Sequence, residues 1–335
     1  MKRLIVKDNY ISKLNLMETE IAIKFVKDTF ERKLAKALNL TRVSAPLFVF
    51  PSTGLNDNLN GHERRVSFDI NGVEEEVEIV QSLAKWKRSA LAKYGFEVGT
   101  GLYTDMNAIR RDEDLDTLHS AYVDQWDWEK IITNELRSVS YLKKTVKTIY
   151  KVLCDVEKDV YKKFPVLTPV LPKDVFFITA KKLEEMYPNM TSKEREHAIC
   201  KEHKAVFLIG IGGKLKSGKP HDGRAADYDD WKLNGDLLLY YEELDIEFEI
   251  SSMGIRVDEE SLLKQLKTKN EEYKIENDYV QGILNKKLPY TIGGGIGQSR
   301  LCMFFLKKAH IGEVQASVWE EADIKFLESK NIHLL

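Results

Sequence analysis

Polar and large apolar side chains alternate along residues 122–129, and this alternation constrains the fold more than any other stretch of the chain. Gln125, Asp127 and Glu129 recur at every second position, with tryptophans between them. Successive side chains of a strand point to opposite faces, so the pattern predicts a half-buried strand. One face would pack on a core and the other would carry acids and an amide. A strand of this kind is a candidate functional site.

The loop that leads into this strand concentrates charge of both signs. Arg110 and Arg111 are followed directly by the acids at residues 112–114. Arginines donate hydrogen bonds to anions and carboxylates accept cations, and ATP with a magnesium ion needs both. A solvated charged turn is the alternative, and residues 112–114 taken alone fit that alternative better. The strand that follows favours a nucleotide site.

The overall composition is that of an ordinary globular protein. The 335 residues are 43% hydrophobic and 31% charged, with a formal net charge of -2. This near-neutral balance lacks the strongly basic character of a nucleic-acid-binding surface, so we expect no nucleic-acid partner. No internal repeat, low-complexity linker or shift in composition divides the chain. We therefore expect a single domain over residues 1–335.

Cysteine usage and hydropathy bear on the cellular compartment. Cys154, Cys200 and Cys302 are far apart, and their spacing fits neither a disulfide framework nor paired zinc ligands. No secretory leader opens the chain, and no apolar run approaches the ~20 residues needed to span a membrane. We expect a cytoplasmic protein that does not associate with membranes.

Two long helices and one shorter helix are predicted from apolar residues at helical spacing. The first covers residues 18–38, and Asn15 with Glu18 has the spacing of a capping box at its start. The second covers residues 141–164 and ends before a group of prolines. A charged helix is expected over residues 192–203.

Several strands are predicted around these helices. A strand over residues 41–49 contains Pro46, which suits a sheet edge or a subunit boundary better than a sheet centre. Residues 66–80 alternate on both sides of Asn71-Gly72, which predicts a β-hairpin. Shorter strands are expected over residues 175–179 and 205–211.

A basic segment, KWKR at residues 85–88, follows the second arm of the hairpin. We expect a helix to begin there, just beyond the sheet. Cations between a strand end and a helix start can grip a carboxylate or a phosphate. For Lys85 and Arg88 taken singly, a helix that is simply wet on one face is an equal alternative.

Two glycine-rich segments have different interpretations. Residues 213–220 imitate a phosphate-binding loop, but Pro220 replaces the hydroxyl residue that such a loop needs. We interpret this segment as a surface loop or lid. Residues 293–300 lack the strand-helix-strand unit of a dinucleotide fold. Their glycines would let the backbone approach a nucleotide closely while Arg300 reaches it.

Asp236 and Glu249 fall on two predicted strands that are joined by an acidic turn. If the strands form a hairpin, the two carboxylates can lie side by side. Two converging carboxylates are costly unless a cation lies between them, which favours a magnesium site. The alternative is that each acid simply lies at the solvent-exposed rim of the fold, and for either residue taken alone this is the more common case.

These motifs together resemble known families. RRDED at residues 110–114, DQWDWE at residues 124–129 and the glycine cluster that ends in Arg300 are similar to motifs two and three of class II aminoacyl-tRNA synthetases, especially the aspartyl branch. The first long helix and the Pro46 strand resemble motif one, the dimer element. A closer resemblance, over nearly the whole chain, is to the ammonia-dependent asparagine synthetases, or aspartate-ammonia ligases. It rests on QSLAKWKR (81–88), GLYT (101–104), YVDQWDW (122–128), YDDW (228–231), SSMGIR (251–256) and TIGGGIGQSR (291–300).

The resemblance implies an α+β fold with the catalytic core of a class II synthetase, in which helices flank a mixed, mostly antiparallel sheet. It implies a homodimer that uses ATP, Mg2+, aspartate and ammonia. The β-carboxylate of aspartate would attack the α-phosphorus of ATP to give β-aspartyl-AMP and pyrophosphate. Ammonia would then displace AMP to give asparagine.

The resemblance also assigns residues to the nucleotide. Arg110 would hold the α-phosphate and stabilise the charge that builds there. Asp236 and Glu249 would bind Mg2+, and Arg300 would bind the distal phosphates. Secondary nucleotide contacts are expected at Asp229, Ser252 and Gly295.

Other residues are assigned to aspartate and ammonia by the same resemblance. Lys87 and Arg256 would hold the α-carboxylate of aspartate, because the β-carboxylate must face the nucleotide. Gln125 and Asp127 would bind the amino group and fix its orientation. Asp57 would receive or deprotonate ammonium. A further substrate contact is expected at Ser82.

Three other kinds of protein share parts of this pattern. A regulatory homologue without chemistry is disfavoured by the retained arginine, acid and glycine elements. A tRNA synthetase would need an anticodon-binding domain, whereas this chain starts almost directly at the dimer helix. A glutamine-using synthetase would need an N-terminal nucleophilic cysteine, and none precedes Cys154. Residues 1–14 are longer than in the family pattern, and the resemblance gives them no function.

Overall fold

A large mixed β-sheet forms the centre of the fold. The structure is a computed structural model that describes residues 4–7, 9–56 and 63–335. Its strands are β1 (Leu40–Arg42), β2 (Phe48–Val49), β3 (Ser67–Phe68), β4 (Val77–Ile79), β5 (Gly101–Ile109), β6 (Tyr122–Ile131), β7 (Phe176–Thr179), β8 (Ala205–Ile209), β9 (Asp229–Tyr241), β10 (Ile246–Arg256) and β11 (Thr291–Gly297).

Eight of these strands form the large sheet in the order β1-β5-β6-β11-β10-β9-β8-β7. Only the two edge pairs, β1 with β5 and β7 with β8, run parallel. The other neighbours are antiparallel. This architecture confirms the predicted α+β class with a mostly antiparallel mixed sheet.

Helices flank the sheet, and the long amphipathic ones cover it. They are α1 (Leu16–Leu38), α2 (Ala84–Lys93), α3 (Val139–Lys163), α4 (Ala180–Met186), α5 (Ser192–His203), α6 (Glu259–Lys269), α7 (Asp278–Leu284), α8 (Gln298–Leu306) and α9 (Glu321–Ser329). None of the helices in the described parts of the chain is long and apolar enough to cross a membrane.

The predicted start of α1 is confirmed. The Asn15 side chain accepts a hydrogen bond from the Glu18 backbone N–H at 2.9 Å, and Glu18 accepts one from the Asn15 N–H at 2.9 Å. The buried face of α1 carries Phe30, whose ring centroid lies 4.8 Å from that of Trp126 on β6. The helix is thus packed against the apolar face of the strand whose other face carries the polar residues.

The prediction of one strand over residues 41–49 is wrong. Two short strands replace it: β1 pairs with β5 at the edge of the large sheet, and β2 pairs with β4 in a separate three-stranded sheet. Pro46 lies between them, and a proline has no backbone N–H to continue a ladder. The hairpin turn is where the sequence placed it, because Val73 N donates to Ile70 O and Gly72 has a φ of 83°. Its paired strands are shorter than the alternation suggested.

Glycines in β11 make room for the polar face of β6. Gly295 lies opposite Asp127 in the register, and a Cβ on Gly295 would fall 2.2 Å from the side-chain oxygen of Gln125. A Cβ on Gly293 would fall 1.9 Å from a carboxylate oxygen of Glu129. The polar side chains of β6 therefore occupy the space above a glycine surface.

Ile5 and Leu335, near the two limits of the described residues, are hydrogen-bonded to two loops that contact each other. The Ile5 backbone N–H donates to the Thr117 hydroxyl at 2.7 Å, in the loop between β5 and β6. The Leu335 backbone N–H donates to Gly312 O at 2.9 Å, in the turn after α8. The two loops are themselves joined, because Ile311 N donates to Thr117 O at 2.9 Å.

Candidate active site

A cavity of about 520 Å³ opens above β6, β10 and β11. Most of the residues predicted from the sequence line it: Ser82, Lys87, Arg110, Gln125, Asp127, Asp229, Glu249, Ser252, Arg256, Gly295 and Arg300. Asp236 lies beside the lining, directly across the ladder from Ser252. Asp57 lies outside the described residues.

Lys87 and Asp127 form a buried ion pair at one end of the cavity. The Lys87 Nζ lies 3.2 Å from Asp127 Oδ1, and it donates to the carbonyl oxygen of Gly294 at 3.0 Å. Lys87 is 1% exposed. Burial lowers the pKa of Lys87, and Asp127 acts against that shift. The pair places a cation and an anion next to each other, as an amino acid's own charged groups require.

Arg256 lies at the same end, between two buried carboxylates. Its guanidinium donates to Glu129 at 2.7 Å and pairs with Asp229. Burial acts to lower the pKa of Arg256, but Glu129 and Asp229 raise it well above its ordinary value. Much of its hydrogen-bonding capacity is thus used within the protein. Asp229, which the sequence assigned to the nucleotide, has Arg256 as its partner.

Arg110 and Arg300 also line the cavity. The Arg110 Nε is buried and has no hydrogen-bond partner among the described residues, and its Nη1 lies 3.9 Å from Glu113. Arg300 donates to the carbonyl oxygen of Glu249 at 3.0 Å and to the His119 Nε2 at 2.8 Å. Guanidinium groups that are only partly satisfied can bind phosphate oxygens.

Asp236 and Glu249 lie close enough to interact, as the sequence suggested. Burial and the nearby Glu249 carboxylate raise the pKa of Asp236, although Arg224 acts against them. One Asp236 oxygen pairs with Arg224, while the other, Oδ1, is buried and accepts no hydrogen bond from the described residues. An orphaned carboxylate oxygen beside a second carboxylate fits a hard cation such as Mg2+. No group of three or more possible metal ligands occurs among residues 4–7, 9–56 and 63–335.

Arg224 is a site residue that the sequence analysis missed. It lines the cavity, pairs with Asp236 and lies 2.8 Å from Asp222. Burial acts to lower the pKa of Arg224, but Asp236, Glu249 and Asp222 raise it. A single arginine after an Asp-Gly turn is a weak signal. Only the long-range contact with Asp236 identifies it.

Lys85 and Arg88 neither bind an anion in the cavity nor lie on a solvent-exposed helix face, which were the two alternatives predicted for them. Both are buried, so the helix is not wet on that face, yet neither lines the cavity. Lys85 lies 3.5 Å from Asp227. Arg88 donates to the carbonyl oxygens of Val257 and Pro289, at 2.8 Å each. These cations hold α2 against the rest of the fold, while Lys87 between them faces the cavity.

The glycine-rich segment at residues 213–220 closes on itself. Lys214 and Pro220 form an isolated bridge, and Leu215 N donates to Lys219 O at 2.8 Å. None of these residues lines the cavity. The interpretation as a surface loop agrees with this position, and its role as a lid stays a prediction.

Comparisons with known proteins agree on a family. The family model described as aspartate-ammonia ligase matches residues 17–331. The chain is 62% identical over 336 residues to a protein of Clostridium perfringens named aspartate--ammonia ligase, and the match covers 100% of both chains. A protein of the same name from Bacillus cereus is 60% identical over 325 residues, which is 97% of this chain and 99% of that protein.

Solved structures with the same fold are class II tRNA synthetases. Asparaginyl-tRNA synthetase from Pyrococcus horikoshii, complexed with asparaginyl-adenylate, superposes with a TM-score of 0.67 at 16% identity, over 90% of this chain and 70% of that one. Asparaginyl-tRNA synthetase from Entamoeba histolytica, also in complex with asparaginyl-adenylate, gives 0.67 at 16% identity, over 91% and 68%. These matches confirm the predicted class II catalytic core.

Proposed function

This chain belongs to the aspartate-ammonia ligase family, and we propose that it makes asparagine in two steps through a β-aspartyl-AMP intermediate. It is a ligase of asparagine biosynthesis that joins aspartate and ammonia. One observation supports the two-step proposal: Lys87 and Arg256, which we assign to the amino acid, line the same cavity as Arg110 and Arg300, which we assign to the nucleotide. We refer to these two groups as the Lys87 end and the nucleotide end of the cavity. A carboxylate and a nucleotide can therefore meet within it.

Aspartate would bind at the Lys87 end. An ammonium group has three N–H donors. Two of those of Lys87 are directed at Asp127 and at Gly294 O, which leaves the third for the α-carboxylate of the substrate. Arg256 adds positive charge behind it. Asp127 and Gln125, on the same face of β6, would accept the substrate amino group, and Ser82 would complete this end.

The β-carboxylate of aspartate would then face the nucleotide end. One of its oxygens forms a bond to the α-phosphorus of ATP, and the bond from that phosphorus to the bridging oxygen of pyrophosphate breaks. Negative charge grows on the α-phosphate during this step, and the Arg110 guanidinium, whose Nε–H has no partner among the described residues, would stabilise it. Arg300 would hold the distal phosphates that leave as pyrophosphate. Asp229, Ser252 and Gly295 are proposed nucleotide contacts.

Asp236 and Glu249 would hold the Mg2+ that accompanies ATP. The orphaned Oδ1 of Asp236 and the neighbouring Glu249 carboxylate support this assignment. Bound there, Mg2+ would neutralise charge on the phosphates and favour departure of pyrophosphate. Arg224 pairs with the same Asp236, so the Arg224 guanidinium also places positive charge beside these two acids.

Ammonia would complete the reaction by attack on the activated β-carbonyl carbon. A carbon–nitrogen bond forms, the bond from carbon to the phosphate oxygen breaks, and AMP leaves. Ammonium must lose a proton before it can attack, so a carboxylate near the β-carbonyl would both attract it and take its proton. We propose Asp57 for this role on the family resemblance.

The remaining proposals concern the whole molecule. The apolar residues Leu16, Met17 and Ile21 are exposed on α1, by 52%, 69% and 48%. This exposed apolar surface supports a two-fold homodimer in which α1 and residues 41–49 meet their copies. A monomeric mass in solution together with full activity would contradict it. We further propose a single domain over residues 1–335, a cytoplasmic location and no nucleic-acid partner.

The deciding experiment is aspartate-dependent exchange of labelled pyrophosphate into ATP without ammonia. A β-aspartyl-AMP intermediate makes the first step reversible, so label should enter ATP only when aspartate and Mg2+ are both present. The full reaction should release AMP and pyrophosphate. Release of ADP and phosphate would overturn the proposal.

The ammonia step has its own experiment. If Asp57 acts only on the incoming nitrogen, Asp57→Asn should keep pyrophosphate exchange and lose asparagine synthesis. The quantity to compare is the ratio of exchange to synthesis rates in the variant and the parent. An unchanged ratio removes Asp57 from the ammonia step.

A further inference from the structure

His119 connects the loop between β5 and β6 to Arg300 on α8. Its Nδ1 lies 3.0 Å from both carboxylate oxygens of Asp116, and its Nε2 lies 2.8 Å from the Nη2 of Arg300. Both His119 and Arg300 line the cavity. The three residues thus form a chain from a loop carboxylate to the guanidinium at the nucleotide end.

Hydrogen-bonding chemistry fixes the direction of this chain. An arginine only donates, so the Nε2 of His119 must be the acceptor of the Arg300 N–H. The proton of the neutral ring is then on Nδ1, where it is donated to Asp116. Burial acts to raise the pKa of Asp116, but the hydrogen bonds from His119 and the backbone lower it. An ionised Asp116 is the acceptor that this tautomer requires.

Hydrogen bonds within the loop and from neighbouring segments hold the backbone around His119 in place. Asp116 Oδ1 also accepts the backbone N–H groups of Leu118 at 2.7 Å and His119 at 2.9 Å. Thr117, which is 1% exposed, is held by Ile5 and by Ile311 through the hydrogen bonds already described. The His119 imidazole is thus oriented by the Asp116 carboxylate and by a loop that is hydrogen-bonded to two other segments of the chain.

Arg300 differs from the other cavity arginines in how it is held. Arg256 is paired with two carboxylates, and Arg224 likewise. Within residues 4–7, 9–56 and 63–335, no carboxylate forms an ion pair with Arg300. Its protein contacts are neutral acceptors, the Glu249 carbonyl and the His119 ring. A neutral acceptor orients a guanidinium without cancelling its charge.

We propose that His119 is a positioning residue for the reaction, and that with Asp116 it holds Arg300 ready for the distal phosphates of ATP. The proposal rests on the assignment of Arg300 to those phosphates. A guanidinium has five N–H groups, and the two protein contacts leave the others for a ligand. His119 therefore contributes to ATP binding through Arg300.

Two substitutions at His119 separate positioning from packing. In His119→Gln the amide oxygen reaches about as far as Nε2 and can still accept from Arg300. In His119→Asn the shorter side chain cannot. We expect His119→Asn to weaken Mg2+-ATP binding roughly 10- to 100-fold, the effect of one hydrogen bond to a charged group, and to raise the KM for ATP more than it lowers kcat. His119→Gln should retain most of the affinity.

AMP provides the discriminating ligand. It lacks the distal phosphates, so its affinity should be the same in the parent and in His119→Asn. Titration calorimetry on the full chain measures both ligands, and a thermal melt confirms folding. His197→Asn is the matched control, because His197 interacts with Asp245 and Glu247 outside the cavity. Equal losses for ATP and AMP in His119→Asn would overturn the proposal.

A double-mutant cycle tests whether His119 acts through Arg300. In an Arg300→Met background, His119→Asn should have no further effect on ATP binding, because the group that it orients is gone. Additive losses would mean that His119 contributes independently, which contradicts the proposal. The parent's pyrophosphate exchange serves as a separate check: if it fails, the proposed function fails, whatever the variants do. If it succeeds and His119→Asn binds ATP normally, only this inference fails.

Discussion

Lys87 on α2 and Asp127 on β6 face each other across 3.2 Å, and both are almost fully buried. A buried charge without its partner is strongly unfavourable, and Asp127 acts against the lowering of the Lys87 pKa by burial. The pair stands where β6, α2 and the glycine strand β11 meet. The ion pair therefore places charged groups of the polar face of β6 in the cavity.

Replacing Lys87 should chiefly impair aspartate binding. Lys87→Met removes the N–H that remains for the α-carboxylate and leaves Asp127 without its cation. We expect kcat/KM for aspartate to fall by about 100-fold or more, with a smaller change in the KM for ATP. Lys93→Met, on an exposed position of the same helix, is the control. Equal effects on both substrates would argue against this assignment.

Arg110 and Arg111 are adjacent but differ in environment. Arg110 lines the cavity, whereas Arg111 is exposed and reaches the carbonyl oxygen of Arg65. Arg110→Ala should lower the rate of pyrophosphate exchange at saturating substrates by at least ~100-fold, as expected for the loss of one preorganised donor to a developing charge. Arg111→Ala should stay near the parent. Near-normal exchange in Arg110→Ala would show that the α-phosphate lies elsewhere.

The two acids assigned to Mg2+ predict a shift in metal requirement. Glu249→Gln replaces a charged oxygen ligand by a neutral one, so the Mg2+ concentration for half-maximal activity should rise on the order of tenfold. Glu247→Gln is the matched control, because Glu247 is on the same strand and interacts with His197 outside the cavity. A Mg2+ titration of exchange activity measures the effect. Identical curves for the parent and Glu249→Gln would remove Glu249 from the metal site.

A substitution in the glycine surface of β11 should lower activity without removing any charged group from the cavity. In Gly295→Ala the new methyl group would lie 2.2 Å from the Gln125 side-chain oxygen and 2.8 Å from Asp127 Oδ1, so those side chains must move. We expect aspartate-dependent exchange to fall by about 100-fold, since small misplacements in a site are costly. In Gly213→Ala the methyl group meets open space, which makes it the control. Exchange assays and a thermal melt on both variants separate activity from folding.

His310 predicts a dependence of stability on pH. Burial lowers its pKa from 6.5 to about 4, against the weaker effects of Asp116 and Asp323. Between these values the unfolded chain binds a proton that the folded chain does not, so the free energy of unfolding falls as pH drops from 6.5 to 4. The shift corresponds to about 3 kcal/mol at most, fully present above pH 6.5.

Urea denaturation at pH 4.5 and pH 7, at one protein concentration, tests this expectation. His310→Asn should lose less stability on acidification than the parent, because asparagine does not titrate and can still accept the Gly312 N–H that bonds to His310. His333→Asn, on an exposed position, should behave like the parent. Parallel losses in the parent and His310→Asn would contradict the assignment.

The sequence predicted the parts of the site that depend on local periodicity. The alternation at Gln125 and Asp127 identified the polar face of β6, and the spacing of Asn15 and Glu18 identified the start of α1. Both follow from geometry that repeats every two to four residues. The assignment of Lys87 to the α-carboxylate of aspartate came from the family resemblance, because Lys85 and Arg88 in the same segment carry the same charge.

The parts that could not be predicted depend on pairing across the chain. Glu129 was seen on the polar face, but its partner Arg256 is 127 residues away. Arg224 was missed because its significance arises from its contact with Asp236, which lies on β9. Pro46 was expected at a sheet edge or a subunit boundary. Periodicity could not predict that the chain passes from the large sheet to the three-stranded sheet at this residue. Such contacts are set by tertiary packing and leave no pattern in a single sequence.

The loops that hold Ile5 and Leu335 also border the cavity, through His119 and Ile311. Neither Ile5 nor Leu335 lines the cavity itself. Because the backbone N–H groups of both residues are the donors to these loops, we expect substrate binding to slow their exchange with deuterated solvent, far from any contact with the substrate.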